Sequence, residues 1–282
     1  MFDRSAVEKF YNNYGEREWN RLGATAYGKL VFLLHADFLD PFLAEGKHVL
    51  DAGCGPGRFS IYMARAKCRV TLLDMSETQL SIAKEKCAQA GVTDFIDGYI
   101  HASVTDLSVI PDNTFDVTVC YGAVFNYLHE QTETAMKELI RVTKNSGEIL
   151  ISVNNIGGIF RTMCIREGYA SSFWAKPEEF GIFEVLNEGI EPSLYPGQKH
   201  PQRFFYNAKA MKKLFDRKEF TEVAFGSVPC IATAAVPQVE ELYGNKSAWE
   251  TLVQVEKAFY LNDSMLDAGE HLLARAKVRK VE

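Results

Sequence analysis

The segment that most constrains the fold of this chain is a glycine-rich turn at residues 49–58. It reads Val-Leu-Asp-Ala-Gly-Cys-Gly-Pro-Gly-Arg, so that an apolar run ends on an acid and three glycines follow at alternate positions. Glycine allows backbone conformations and a close approach that side chains forbid, and the free amide groups at the start of a helix attract ligands. The segment therefore predicts a β-strand, a ligand-contacting turn and an α-helix in succession.

Strands and helices alternate along the rest of the chain. Apolar runs predict strands, and segments with helical periodicity predict the helices between them. The Ser76-x-x-Gln79 pattern is typical of a capping box at a helix start. The predicted strands are residues 48–51, 69–73, 95–101, 115–121, 148–153, 221–228 and 272–278, and predicted helices include residues 59–66, 133–142 and 208–215. This alternation predicts an α/β fold with a doubly wound, mostly parallel, seven-stranded sheet and helices on both faces.

Two segments stand apart from the alternation and divide the chain. Residues 1–45 are helical in period and rich in aromatic side chains, which predicts an N-terminal helical cap. Residues 154–206 are rich in glycine, proline and aromatic residues, and a stretch of this length between sheet elements is more often a lid than an idle loop. We therefore expect a cofactor-binding core at residues 46–153, an inserted substrate lid at 154–206, and the rest of the sheet with additional helices at 207–282.

Two acids near the strand ends indicate what the turn binds. Asp51 lies two residues before the first glycine, and Arg58 occupies the position of the third glycine in a dinucleotide fingerprint. A carboxylate at Asp51 does not help to bind a pyrophosphate, but it suits a cationic ligand. S-adenosylmethionine has no phosphate, carries an ammonium and a sulfonium group, and has a ribose diol that Asp74 could bind from the end of the second strand. A nicotinamide-dependent oxidoreductase shares the strand-turn-helix and is the alternative.

These residues resemble the class I, Rossmann-like, S-adenosylmethionine-dependent methyltransferases that act on small molecules, over roughly residues 11–225. The resemblance implies that Met75 flanks the adenine, that Ser103 and Val104 contact its edge, and that Tyr121 lies beneath the methionine moiety. Many relatives carry an aspartate in place of Ser103, so Asp106 is a further candidate for that contact. The cofactor-binding residues implied are Asp51, Gly53, Cys54, Gly55, Gly57, Asp74, Met75, Ser103, Val104 and Tyr121. S-adenosyl-L-homocysteine would be the product.

The sequence indicates the methyl acceptor and the catalytic residues less directly than it indicates the cofactor site. A sulfonium is already an activated leaving group, so transfer needs mainly alignment of the acceptor and, for a protonated acceptor, a base. The candidate catalytic residues are Tyr14, Asn126 and His200, and the candidate acceptor contacts are Tyr27, Asn126 and Arg203. We expect the enzyme to methylate an oxygen or nitrogen of a small-molecule acceptor. Natural products and peptide-like compounds are included among these acceptors. A catalytically silent binding or scaffold protein with the same fold is a second alternative.

Charge and cysteine usage limit the partners. The chain has a net charge of -6, and its lysines and arginines are interspersed with acids, so no basic face for nucleic acid is expected. Its six cysteines are scattered without a Cys-x-x-Cys pair, which favours reduced thiols and neither a metal site nor a disulfide framework. No apolar stretch suggests a membrane segment. We expect a cytoplasmic monomer or homodimer.

Overall fold

The computed structural model describes residues 2–165, 174–191, 194–195, 198–199 and 201–280. Its centre is a seven-stranded sheet with the order β6-β7-β5-β4-β1-β2-β3. These strands are β1 His48–Ala52, β2 Arg69–Asp74, β3 Ile96–His101, β4 Phe115–Cys120, β5 Thr143–Asn154, β6 Phe220–Val228 and β7 His271–Val278. Strand β7 is antiparallel to both of its neighbours, and all other pairs are parallel. The strand order reverses between β1 and β4, where open α/β sheets bind ligands at the carboxyl ends of their strands.

Helices cover both faces of this sheet. The helices are α1 Arg4–Tyr14, α2 Glu16–Arg21, α3 Ala26–Leu39, α4 Arg58–Arg65, α5 Glu77–Gln89, α6 Thr132–Val142, α7 Ile156–Ile165, α8 Ile182–Glu188, α9 Ala208–Phe215, α10 Val236–Tyr243 and α11 Lys246–Phe259. Among the described residues, no helix is both long enough and apolar enough to cross a bilayer.

The core forms as two apolar layers on either side of the sheet. Successive strand residues point to opposite faces, so that Val49 packs in one layer and Leu50 in the other. The helices α3, α4 and α5 fill the first layer, and α6 and α9 fill the second. Their buried side chains include Leu30, Leu34, Met63 and Ala83 in the first layer and Met136, Leu139, Met211 and Phe215 in the second. The nearly continuous apolar strands follow from burial on both faces.

The predicted fold class is confirmed, and six of the seven predicted strands differ from the observed ones by a single residue at an end. Strand β5 is the exception, because it begins at Thr143, five residues before the predicted start. Its pairing with β4 shifts in register between Phe115 and Val117, and Ser146 has a φ of 65°. The polar residues 144–147, which lie between the predicted helix at 133–142 and the predicted strand at 148–153, are therefore part of an irregular strand.

The N-terminal cap contains three helices: α1 and α2 are divided at Gly15, and residues 22–25 separate α2 from α3. Gly15 has a φ of 55°, which breaks the helical path between α1 and α2. The capping box at α5 is half formed. The hydroxyl of Ser76 accepts the N–H of Gln79 at 3.1 Å, but the Gln79 side chain donates to the carbonyls of Tyr11 and Gly15 instead of returning to the cap.

The inserted segment leaves the sheet after β5. It contains α7, α8 and two short antiparallel pairs, in which residues 190–191 pair with 203–204 and residues 194–195 pair with 198–199. A parallel bridge between Asn155 and Tyr206 joins its two ends. His200, one of the candidate catalytic residues, lies outside the described residues.

Candidate cofactor site

A cavity of about 940 Å³, including space open to solvent, lies over the carboxyl ends of β1, β2 and β4. This is the edge at which the strand order reverses. The predicted cofactor residues that line it are Asp51, Gly53, Cys54, Gly55, Asp74, Met75, Ser103, Val104 and Tyr121. Gly57 is the predicted cofactor residue that the structure places outside this lining.

The three glycines of the turn have different structural roles. All have positive φ angles, of 79° at Gly53, 51° at Gly55 and 80° at Gly57. A Cβ atom at Gly53 would lie 2.3 Å from Cγ2 of Val124, whereas one at Gly55 would point into the cavity, with its nearest neighbour 3.7 Å away. A Cβ atom at Gly57 would lie 3.1 Å from the Cβ of Ala83 on α5. Gly55 therefore keeps the cavity open, and Gly57 lets α4 pack closely.

The Asp74 carboxylate is held by two backbone donors. Its Oδ2 accepts the N–H of Gly55 and its Oδ1 accepts the N–H of Ser76, both at 2.8 Å. The side chain is 8% exposed, and burial raises its pKa to about 6. Each carboxylate oxygen has two acceptor sites, so both oxygens can accept a further hydrogen bond from a ligand in the cavity.

Asp51 is a second buried acid in the cavity lining. Its Oδ2 accepts the hydroxyl of Ser60 at 2.5 Å, and the side chain is 2% exposed. Burial raises its pKa to about 7, and the neighbouring charge of Asp74 adds to the shift. Two buried acids whose ionised forms are disfavoured make this edge of the sheet suitable for a cation, which would favour both ionised forms.

The N-terminal helices supply two charged residues that sequence reasoning missed. Glu18 and Arg21 line the cavity, and Nε and Nη2 of Arg21 donate to Oε1 of Glu18 at 2.9 and 2.7 Å. Nη2 of Arg21 lies 3.9 Å from the position that a Cβ atom would take at Gly122, directly after β4. In the sequence, only the spacing of three residues on a helical segment indicated that Glu18 and Arg21 could pair. Their approach to the glycine turn depends on how α2 folds back over the sheet.

Arg58 adds a second guanidinium at the same end. Its Nη2 donates to the carbonyl of Trp19 at 2.7 Å, and its Cζ lies 3.9 Å from the centre of the Trp19 ring. Its Nε is buried and has no hydrogen-bond partner in the described structure. Positive charge from Arg21 and Arg58 therefore lies beside the acids at this end of the cavity.

A polar clasp holds α1 over the cavity. Nε2 of Gln79 donates to the carbonyls of Tyr11 and Gly15, each at 3.1 Å. The Ser76 hydroxyl donates to Oδ1 of Asn12 at 2.6 Å. The same Ser76 donates its N–H to Asp74, so the clasp and the acid share one residue. Tyr11, on this helix, lines the cavity, and its hydroxyl donates to that of Tyr127 at 3.3 Å.

Two of the other candidate residues are engaged elsewhere in the structure. Tyr14 does not line the cavity, and its ring stacks on Phe10 with 5.5 Å between ring centres. The hydroxyl of Tyr27 donates to Oε2 of Glu270 at 2.9 Å and accepts the N–H of Ala234 at 3.0 Å. Tyr27 therefore joins α3 to Glu270, just before β7, and to the segment after β6, and it does not line the cavity.

Asn126 connects the insertion to the loop after β4, and Arg203 forms an ion pair within the insertion. Nδ2 of the fully buried Asn126 donates to the carbonyl of Phe204 at 2.6 Å, and its Oδ1 accepts the N–H of Asn154 at 2.9 Å. Arg203 donates through Nε and Nη2 to the buried carboxylate of Glu191, at 2.5 and 2.8 Å. Neither residue lines the cavity, and the polar groups of both are engaged in these contacts.

The fold and this cavity define a Rossmann-like class of protein that binds a ligand at the switch point of its sheet. Residues 49–147 match a protein family described as a methyltransferase domain. Residues 49–147 are therefore similar to a methyltransferase domain. The matched residues begin in β1 and end within β5, and they include the glycine turn, Asp74, Ser103 and Tyr121.

Known proteins share this domain to different extents. The chain is 34% identical over 119 residues to a ubiquinone biosynthesis O-methyltransferase of Hahella chejuensis, a match that covers 42% of this chain and 48% of the relative. The chain thus spans about half the length of the curated relatives it matches first.

Solved structures match over more of the chain. A Burkholderia thailandensis 1,6-didemethyltoxoflavin-N1-methyltransferase, with bound 1,6-didemethyltoxoflavin and S-adenosylhomocysteine, has a TM-score of 0.57 and 15% identity, and the match covers 98% of this chain and 88% of that chain. The [4+2]-cyclase SpnF has a TM-score of 0.55 and 17% identity, with coverage of 88% and 82%. At these identities the likeness shows the fold alone.

Proposed function

We propose that this chain transfers the methyl group of S-adenosylmethionine to an oxygen or nitrogen of a small-molecule acceptor by in-line displacement. One observation carries the proposal. The strand order β4-β1-β2-β3 sets out the lining residues along the edge of the sheet: Arg21 lies beside Gly122 after β4, Asp51 is in β1, Asp74 ends β2, and the apolar Val104 follows β3. A methionine zwitterion, a ribose diol and an adenine ring occur in this order along the cofactor.

The residues present fit that cofactor. Asp74 would accept the two ribose hydroxyls through the acceptor sites that Gly55 and Ser76 leave free. Arg21 would attract the methionine carboxylate, and Glu18 and Asp51 would attract its ammonium. The positive φ angles of the glycine turn leave space that a side chain would fill.

The residues of this chain would mainly align the reacting groups and exclude water. When bound, S-adenosylmethionine supplies an electrophilic methyl group on its sulfonium. Tyr11 and Tyr127 line the cavity, and burial raises the pKa of both phenols, so both would remain protonated and could orient an acceptor. The acceptor would bond to the methyl carbon as the carbon–sulfur bond breaks, the sulfur would leave as the thioether of S-adenosylhomocysteine, and an acceptor O–H or N–H would release its proton to water at the open side of the cavity.

The arrangement of segments supports a core with two covers. Helices α1 and α2 lie over the cavity, α1 through the clasp to Gln79, and the insertion at 154–206 attaches through Asn126. We propose that residues 46–153 and 207–282 form the core. The insertion would be its lid and would shape the acceptor pocket. The acceptor would be a small molecule. The protein would act as a monomer or as a homodimer.

Titration calorimetry with S-adenosylhomocysteine tests the cofactor step. We expect saturable binding to the wild type, and a loss of at least about tenfold in affinity for Asp74→Asn, because a charged hydrogen-bond acceptor contributes about 1.5–3 kcal/mol. Asp94→Asn is the matched control, since Asp94 is exposed and lies outside the cavity lining. Folded wild-type protein that does not bind would overturn the proposal.

The likeness to a cyclase requires a separate test of chemistry, because a fold does not determine a reaction. Incubation with S-adenosylmethionine labelled in its methyl group, and with panels of phenols, amines and carboxylic acids, should give a labelled product. The Asp74→Asn variant should lose this labelling. Binding of S-adenosylhomocysteine without transfer to any acceptor class would favour a silent binding protein.

A further inference from the structure

A second cavity lies at the opposite edge of the sheet, where β1, β4 and β5 begin. It has a volume of about 800 Å³, including space open to solvent, and its charged lining residues are Lys47, Asp116, Lys144, Glu148 and Lys277. Lys47 precedes β1, and Asp116 and Lys144 lie at the starts of β4 and β5. None of the described residues that line this cavity also lines the cofactor cavity. We call it the basal pocket, and it is separate from the site of the proposed methyl transfer.

Three half-buried lysines give the basal pocket its positive charge. Nζ of Lys47 donates to a backbone carbonyl at 2.7 Å, and Nζ of Lys277 donates to the exposed Glu222 at 3.0 Å. Nζ of Lys144 donates to Oδ1 of Asp116 at 2.8 Å. An ammonium group has three donors, so each of these lysines can donate further hydrogen bonds to a ligand. The three lysines outnumber the two carboxylates of the lining, which favours an anion.

Glu148 is the buried acceptor of the basal pocket that lacks a donor. The residue is 9% exposed, and its Oε2 has no hydrogen-bond partner in the described structure. Nη1 of Arg275 lies 3.6 Å from this oxygen, which is too far for a hydrogen bond. Burial raises the pKa of the Glu148 carboxyl, although Arg275, Lys277 and Lys47 counteract the shift. A ligand that donates a hydrogen bond to this carboxylate would therefore relieve the cost of an unsatisfied buried group.

We propose that the basal pocket binds hydrogen phosphate, whose oxygens accept from the lysines and whose remaining P–O–H donates to the Glu148 carboxylate. At pH 8 hydrogen phosphate carries one proton, whereas sulfate has a similar size and the same charge but carries none. The carboxylate therefore repels a sulfate oxygen, and it forms a charge-assisted hydrogen bond with hydrogen phosphate. The pocket should select hydrogen phosphate over sulfate by at least about tenfold, which is the fold-change that a hydrogen bond to a charged group gives.

The test is titration calorimetry of the full chain at pH 8 with sodium phosphate and with sodium sulfate, at equal ionic strength. The wild type should bind phosphate saturably and sulfate at least about tenfold more weakly. In Glu148→Gln the ratio of the two Kd values should fall to near one, because an amide can donate to either anion. Lys277→Gln should weaken the binding of both anions by a similar factor, since both use the same positive charge.

Lys213→Gln is the matched control, because Lys213 is exposed and lies outside the basal pocket, and it should bind both anions as the wild type does. Far-UV circular dichroism checks that each variant is folded. If Glu148→Gln does not fold, the selectivity of the wild type and the loss in Lys277→Gln decide the matter. Folded wild type that binds neither anion, or that binds both equally, would overturn the proposal. A preference for phosphate that Glu148→Gln keeps would overturn it as well, since Glu148 would then not detect the proton.

Discussion

The backbone N–H of Gly55 donates to Oδ2 of Asp74 at 2.8 Å, and this hydrogen bond joins the loops that follow β1 and β2. The glycine turn and the acid were separate signals in the sequence, 19 residues apart. In the structure they form one unit, in which the turn orients the carboxylate and the carboxylate fixes the turn. A change at either residue should therefore affect the other.

Ligand affinity should depend on pH through the two buried acids. Burial raises the pKa of Asp51 to about 7 and that of Asp74 to about 6, and a ligand with an ammonium and a ribose diol favours their ionised forms. Binding of S-adenosylhomocysteine should therefore weaken as pH falls from 8 to 5.5 and should release protons near pH 6.5. Calorimetry in buffers of different ionisation enthalpy measures this release, and a pH-independent affinity would contradict it.

The same pKa shifts predict the opposite trend for the stability of the free protein. Because Asp51 has a pKa of about 7 when folded and an ordinary pKa of 3.8, the folded state binds more protons between these values. The free energy of unfolding should then receive a contribution from Asp51 that decreases as pH rises through this range. Urea denaturation of the wild type and Asp51→Asn at several pH values should show this difference between them.

Arg21 should recognise the carboxylate of the methionine moiety. Replacing it with alanine removes a charged donor, so Arg21→Ala should bind S-adenosylhomocysteine roughly 10- to 100-fold more weakly, or about 1.5–3 kcal/mol. The decarboxylated analogue should lose far less affinity. Arg17→Ala is a suitable control, because Arg17 stacks on Tyr14 outside the cavity. Equal losses for both ligands would show that Arg21 acts by positioning Glu18 instead.

Tyr121→Phe should stabilise the protein. The Tyr121 hydroxyl is buried and has no hydrogen-bond partner in the described structure, so its removal relieves the cost of an unsatisfied polar group. We expect the free energy of unfolding in urea to rise by about 1 kcal/mol. Tyr260→Phe should have the reverse effect, since the Tyr260 hydroxyl donates to Asp37 at 2.9 Å. A fall for Tyr121→Phe would indicate that a bound water satisfies the hydroxyl.

Glu256→Ala should be strongly destabilising. The carboxylate of Glu256 on α11 is fully buried and accepts the N–H groups of Cys230, Ile231 and Ala232, at distances from 2.8 to 3.3 Å. Its removal leaves three backbone donors of the segment after β6 unpaired, which should cost about 3 kcal/mol. Glu250→Ala on the exposed face of the same helix should change the free energy of unfolding by less than about 0.5 kcal/mol.

The sequence by itself predicted the sheet and the residues of the glycine turn. These features are local, because a strand, a turn and a helix are encoded by consecutive residues, and the carboxyl ends of parallel strands meet at one edge. Asp51, Asp74 and Ser103 each follow or end a strand, so their common location could be predicted without knowledge of any contact.

Only the tertiary structure decided which side chains from distant segments complete the cavity. Arg21 and Glu18 reach it because α2 folds back over the sheet, and no pattern in the chain specifies that path. Asn126 and Arg203 looked suited to bind an acceptor, but their polar groups are satisfied by Phe204, Asn154 and Glu191. A buried polar group must find partners wherever the chain places them, and those partners are long-range contacts that a residue's own neighbours in sequence do not reveal.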